Sequence, residues 1–247
     1  MTAMTKSLLL CLIWVSSLGA QTRELDRVLR THVADGRVNY KALKDDPLFE
    51  RSVQRLAQVN PGTLKSQSER LAFWINVYNA FTLKLIVDHY PVASINDLHS
   101  GPGLIVSTVI GKTVWKVWKF RIHERNYTLD EVEHSILRPM GDYRIHAAIN
   151  CASRGCPPLR SEAYTAEKLN EQLDDQMRCF LRPPYARYDS ASNTLYVSKV
   201  FDWFAEDFEK QEPLPYALLP YLPENVNPKT AASARIRTLD YDWNLNE

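Results

Sequence analysis

The segment "SERLAFWINVYNAFTLKLIVDHYP", Ser68 to Pro91, constrains the fold more than any other part of the chain. Leu71, Trp74, Ile75, Tyr78, Phe81 and Leu85 recur at steps of three and four, the period of a helix with a buried stripe. Pro91 ends it, because proline cannot continue a helical hydrogen-bond ladder. Within the run, Asn76 and Asn79 lie three apart and so share one face. Asparagine is a mediocre helix former, so two of them among large apolar residues need partners. They either bond backbone or solvent, or they orient groups in a site.

The rest of the chain reads as short elements around this helix. "TRELDRVLRTHV" predicts a helix, "RVNY" a short extended piece, and a further helix runs to about Pro61. "SINDLHSGPGLI" predicts a loop, and the β-branched and aromatic content of "KTVWKVWKFRI" predicts a strand. Trp115 and Trp118 are expected in the core rather than on a ligand platform. "YTLDEVEHSILRP" predicts a helix with Thr128 as N-cap and Glu131 completing a capping box, ending at Pro139. "YRIHAAIN" predicts a short buried strand. "YTAEKLNEQLDDQMRCFLRPP" predicts an amphipathic helix capped by Thr165, with Leu169, Leu173, Met177 and Phe180 facing inward. "NTLYVSKVF" follows as a strand, and "DWFAEDFEK" and "PLPYALLPYLPE" as helices. The sum is a mixed α/β (α+β), helix-rich single domain with a small sheet, spanning residues 21–247.

The first twenty residues are expected to be a signal peptide: a basic start, the apolar run "SLLLCLIWVSSL", and small residues before Gln21. The apolar run is too short to span a membrane, so the chain is expected to be exported, to a periplasm or the medium, with no transmembrane segment after cleavage. Basic and acidic residues nearly cancel, 30 against 29, and are interleaved. No basic stripe argues for nucleic acid. Neither a Gly-rich phosphate loop nor a serine nucleophile elbow is present. Three cysteines follow the leader, Cys151, Cys156 and Cys179. An odd number in an oxidising compartment leaves at least one thiol unpaired within a monomer.

Two of these thiols fall in "RIHAAINCASRGCPPLR". Together with "FWINVYNAFTL", "LDEVEHSILR", "SKVFDWFAEDF" and "LDYDWNLN", in this order from about Leu71 to Asn246, this stretch resembles the domain of unknown function 547 family. The resemblance covers Asn76, Asn79, Glu133, His134, His146, Cys151 and Cys156. It implies positions rather than a reaction. Asn150 and Cys179 do not belong to the pattern.

Three chemistries fit the residues. In the first, Cys151 is a nucleophile with His134 or His146 as base, oriented by Glu133, Asn76 or Asn79. On an extended strand His146 and Cys151 would stand roughly 16 Å apart at about 3.3 Å per residue, so His134 is at least as good a partner. The product would be a papain-like or transglutaminase-like hydrolase or acyl-transfer enzyme, with no cofactor, acting on a peptide, protein or cell-wall amide. In the second, a Cys151–Cys156 disulfide fixes the loop of a binding module or cycles as a redox couple; Cys156–Cys179 pairing is equally allowed. In the third, His134, His146, Cys151 and Cys156 hold zinc, although their spacing follows no familiar zinc motif. Each histidine taken alone is also compatible with a hydrogen-bonded core position. Arg138, Arg144 and Arg154 could hold a thiolate or a substrate carboxylate, or be solvated.

Overall fold

A computed structural model describes residues 17–99, 113–210 and 212–247 of the chain. The expected signal peptide lies almost wholly outside them, as does the Gly-rich half of the expected loop Ser94–Ile105. Among the described residues no helix is long and apolar enough to cross a membrane.

The first third is helical: α1 (Ser17–His32), a two-residue-stranded hairpin of β1 (Val33–Ala34) and β2 (Arg37–Val38), α2 (Tyr40–Lys44), α3 (Pro47–Gln58) and α4 (Gln67–His89). Ser66 starts α4 with a full capping box. Its hydroxyl accepts the Glu69 N–H at 3.1 Å, and the Glu69 carboxylate accepts the Ser66 N–H at 2.9 Å. From Leu71 to Leu83 every residue of α4 is buried, so the helix is wrapped on all sides rather than on the one stripe its periodicity predicts.

A hairpin of β3 (Lys119–Ile122) and β4 (Arg125–Thr128) seals one side of α4. Phe120 stacks on Phe81 at 4.1 Å, and Tyr127 meets Trp74 edge-on at 5.1 Å. The expected strand over residues 112–122 is half right. Val114–Val117 form one helical turn, α5, and only Lys119 onward is extended. Next, α6 begins as an α-helix at Leu129–Glu131, widens to a π-helix over Val132–Leu137 and tightens to a 3-10 turn at Arg138–Met140. Thr128 caps it as expected, accepting the Glu131 N–H at 3.1 Å, but the Glu131 carboxylate turns to Arg125 instead of closing the box.

The run "YRIHAAIN" corrects the expectation of a strand. It forms a single helical turn, α7 (Ile145–Ala148), followed by extended Ile149. α8 (Leu169–Phe180) buries Leu169, Leu173, Met177 and Phe180 as the sequence predicts. It starts three residues later than expected, with no side-chain cap, and Thr165 instead gives its N–H to Gln172. The last third builds a three-stranded sheet in the order β5 (Arg187–Asp189), β6 (Thr194–Val197), β7 (Arg235–Thr238), antiparallel and then parallel. The short helices α9 (Val200–Trp203), α10 (Ala205–Phe208), α11 (Leu214–Leu218) and α12 (Pro228–Ala231) lie between β6 and β7.

The architecture is a helix-rich α+β fold with small sheets and two apolar clusters. The larger surrounds α4; the smaller gathers Met177, Phe180, Phe201, Phe208 and Leu218. Ala148 and Ile149 pack in the first cluster and Ala147 in the second. The segment carrying His146 and Cys151 therefore runs along the seam between the two.

Candidate active site

Past α7 the chain turns through a loop, Cys151 to Pro157, that is clamped from two sides. On the inner side the Asn79 side chain donates to Ala148 O at 2.9 Å and accepts the Asn150 N–H at 2.9 Å. Asn150, 3% exposed, then accepts the Ala152 N–H at 2.8 Å and donates to Pro157 O at 2.7 Å, spanning the loop. On the outer side lies the C-terminal tail. Arg154 and Gly155 donate their N–H groups to Asn244 O and Asp242 O at 2.8 Å each, and Asn246 donates to Ala152 O at 3.1 Å. Ala152 takes a left-handed φ of 62° directly after Cys151, a cost of about 1 kcal/mol for a non-glycine residue that the clamps hold in place.

This docking brings Tyr241 to the thiol. The Cys151 sulfur lies 3.1 Å from the Ser153 hydroxyl and 3.1 Å from the Tyr241 hydroxyl, which are 2.8 Å from each other. Cys156 contributes the strongest effect on it, a hydrogen bond to the Cys151 sulfur, while Cys156 itself accepts the Cys151 N–H at 2.9 Å. Donors from Cys156, then Ser153 and Tyr241, outweigh burial and lower the Cys151 thiol to about 7. Burial, followed by the neighbouring Cys151, pushes Cys156 well up. The pair therefore divides into a thiolate and a thiol that donates to it. A methyl group at Gly155 would lie 2.8 Å from Asp242 N and 2.9 Å from the Tyr241 ring. Gly155→Ala is expected to displace Tyr241 and shift the pH midpoint of Cys151 alkylation upward. An unchanged midpoint would mean that Tyr241 does not tune the thiol.

His146 sits on α7, 2% exposed, with Phe204 stacked 4.0 Å away. Its Nε2 is 2.8 Å from Asp207 Oδ2, and the same oxygen accepts from Arg138 Nε at 2.5 Å. Burial pushes the Asp207 carboxyl up, but the Arg138 and His146 hydrogen bonds prevail and hold it below its usual range. An anionic Asp207 fixes the tautomer of the ring: the proton is on Nε2 and the lone pair on Nδ1. That Nδ1 is buried and has no partner. Burial lowers the imidazolium to about 4, so His146 is neutral at physiological pH.

Glu133 lies on the π-helical part of α6 and accepts a hydrogen bond from the Tyr78 hydroxyl at 3.2 Å. Burial raises its carboxyl to about 7, with the charge of Cys151 adding to the effect. His134 points outward, accepting from Arg138 at 3.1 Å and standing 3.7 Å from Asp130.

One cleft of about 180 Å³ joins these groups. Cys151, Cys156, His146, Glu133, His134, Asp130 and Tyr78 line it, along with an aromatic wall of Trp115, Trp203, Phe204, Tyr241 and Trp243. Trp115 packs against the larger apolar cluster as expected and also lines the cleft, while Trp118 packs on Phe81 and Phe120.

Asn76 and Asn79 correct the expectation that they orient an imidazole. Asn76 is spent on the Tyr164 backbone, donating to its O at 2.8 Å and accepting its N–H at 2.9 Å, and Asn79 on the backbone of the cysteine loop. Both are clasps between α4 and neighbouring chain. The expected Cys151–Cys156 bridge is not formed: Cys151, Cys156 and Cys179 are all free. His134, His146, Cys151 and Cys156 do not converge as a zinc set, and among the described residues no three His, Cys, Asp or Glu side chains do. Of the arginines, Arg138 serves Asp207, while Arg144 binds Asp142 and Asp174 and Arg154 binds Leu245 O. Asn150, Asp207 and Tyr241 are the residues the sequence reading missed. The only signal for the last two was their place in motifs noted for family resemblance alone.

Residues 62–181 match the family model described as "Protein of unknown function, DUF547". Over this segment the chain is a DUF547 family member. The matched DUF547 segment contains Asn76, Asn79, Glu133, His134, His146, Cys151 and Cys156. It stops short of Trp203, Asp207, Tyr241 and Trp243, which complete the cleft from the C-terminal third. No curated protein and no solved structure matches this DUF547 chain.

Proposed function

We propose that this chain is an exported thiol-dependent amide hydrolase or acyl-transfer enzyme acting on peptide, protein or cell-wall amides. Cys151 is its nucleophile, His146 its base and Glu133 its acid. The observation that carries this reading is the shared cleft: a half-buried sulfur ringed by donors, and an imidazole whose inner nitrogen is unpartnered while its outer one is fixed by Asp207. Export rests on the leader-like N-terminal sequence.

The resting state is not a thiolate–imidazolium pair, because His146 is neutral there. Instead Cys151 and Glu133 compete for one proton. Each charge disfavours the other, so near neutrality the thiolate coexists with a protonated carboxyl. The thiolate attacks the amide carbon, and the tetrahedral adduct expels the amine, which takes the Glu133 proton. A thioester and a Glu133 carboxylate remain. Water or an amine then attacks the thioester, giving a proton to His146 Nδ1, and the C–S bond breaks to return the thiolate. Transfer of that proton from His146 to Glu133 closes the cycle.

The test is alkylation of the mature protein by iodoacetamide under reducing conditions, followed by peptide mapping across pH. Thiolate is the reactive form, so the Cys151 rate should climb with pH to a plateau with its midpoint near 7. Cys156 and Cys179, both pushed up by burial, should lag. A thiol at 7 is half ionised at pH 7, against about 3% for an ordinary one near 8.5, roughly a fifteenfold advantage. Tyr241→Phe should move the midpoint upward. A Cys151 rate no greater than that of Cys179 at pH 7 sinks the nucleophile.

A further inference from the structure

We propose that the same cleft binds an aliphatic primary ammonium, the amine side of the amide that Cys151 breaks or makes. This inference rests on the thiol reading for the reaction but not for the binding. Three observations meet here. First, the carboxyl groups lining the cleft are those of Asp130 and Glu133, and among the described residues no lysine or arginine lines it. Two cations close to these groups are already engaged: Lys116 stands 3.9 Å from Asp130, and Arg138 is bound to Asp207.

Second, the facing wall is a fixed aromatic surface. Trp203 lies 4.8 Å from Tyr241 and 5.9 Å from Trp243 at an interplanar angle of 25°, and Trp243 lies 6.3 Å from Trp115. Trp203 nevertheless keeps 46% of its surface in water. Rings held by one another with a free face attract a cation through their quadrupoles, and their apolar edges suit an alkyl stem. Third, His146 Nδ1 is a buried acceptor without a donor. A buried acceptor left unmade is costly, and a primary ammonium brings three N–H groups to it. A carboxylate ligand would meet repulsion from Asp130, and a neutral sugar would gain hydrogen bonds but no charge attraction from the carboxyl groups.

The chemistry balances. An entering ammonium loses one proton to the Glu133 carboxylate and a second to His146 Nδ1 as its nitrogen attacks the thioester, and His146 then releases that second proton to solvent. The C–N bond forms, the C–S bond breaks, and the electron pair returns to Cys151 sulfur. Run backwards, the same contacts hold the departing amine.

The experiment is titration of the mature protein with n-butylammonium, followed by tryptophan fluorescence, with 1-butanol, butyrate and N-acetylglucosamine as comparators. A saturable change is expected for butylammonium alone. Trp203→Ala, at an exposed ring that the fold can spare, should weaken it about tenfold, and Asp130→Asn should weaken it as well. Equal binding of 1-butanol or N-acetylglucosamine, or an undiminished affinity in both variants, overturns the proposal. Iodoacetamide labelling of the same sample separates the two readings. Slow Cys151 labelling with intact butylammonium binding removes the thiol chemistry and leaves the ammonium site. Fast labelling without binding removes only the ammonium site.

Discussion

Asp207→Asn is expected to slow amide turnover by about 10³–10⁴-fold while leaving rapid alkylation of Cys151 in place. Asp207 Oδ2 accepts from His146 Nε2 at 2.8 Å, which keeps the lone pair on Nδ1, the buried nitrogen without a partner. An asparagine amide can donate to Nε2 instead. The ring then carries its proton on Nδ1 and can no longer accept one from water or an amine. The thiolate should not notice, because its donors are Cys156, Ser153 and Tyr241, none of which touches Asp207. His146→Ala should lose as much as Asp207→Asn, and the double variant little more, as for residues acting as one unit. The decisive readout is this split between turnover and labelling. If labelling collapses together with turnover, Asp207 shapes the whole cleft and the base assignment is wrong.

The same assignments set the pH profile. Attack needs the Cys151 thiolate, which forms as pH rises through about 7. Expulsion of the amine needs protonated Glu133, which is lost as pH rises through about 7. Turnover should therefore peak near pH 7 and fall on both sides. Glu133→Gln should abolish the alkaline limb along with most of the rate. A Glu133→Gln variant with wild-type turnover would remove Glu133 as the acid.

How much of this could be read from the sequence depends on the reach of the interactions. α4 was legible because its periodicity runs for six turns, and a pattern that long outweighs local accidents. Its asparagines were correctly singled out as needing partners, but the partners are backbone groups of Tyr164, Ala148 and Asn150, which no side-chain pattern encodes. "YRIHAAIN" failed for the opposite reason. A single turn of helix is too short to establish a period, and at the seam of two apolar clusters every residue from Ile145 to Asn150 is buried, so alternation had nothing to report. Asp207 lies 61 residues from His146, and in "DWFAEDFEK" it is one acid among four on a short helix. Only the fold selects it. Tyr241 is similar: the tail that carries it is placed by backbone pairing with the cysteine loop. Cys151 was singled out by its motif, and the fold places it in the cleft, whereas the odd thiol count said only that one cysteine stays unpaired.

The second large effect concerns stability. Asn150→Ala should destabilise the protein by about 3–5 kcal/mol, because removing the amide leaves several buried groups unpaired at about 1–3 kcal/mol each. Its Oδ1 satisfies the Ala152 N–H at 2.8 Å, its Nδ2 satisfies Pro157 O at 2.7 Å, and Asn246 Nδ2 approaches the same Oδ1 at 3.3 Å. Alanine supplies none of these, and water cannot readily reach a position that is 3% exposed. The loss should fall on the loop that holds Cys151 and on the tail docked against it, since Asn246 in turn accepts from the Tyr40 hydroxyl at 2.7 Å. Urea unfolding of the wild type and Asn150→Ala measures the difference in midpoint at constant slope. Asn150→Asp keeps the acceptor but loses the donor to Pro157 O and buries a charge, so it should be no better than alanine. A cost below about 1 kcal/mol at Asn150 would mean that the clamp is not what holds the loop. The left-handed Ala152 would then need another source of restraint, and the placement of Cys151 beside Tyr241 another explanation.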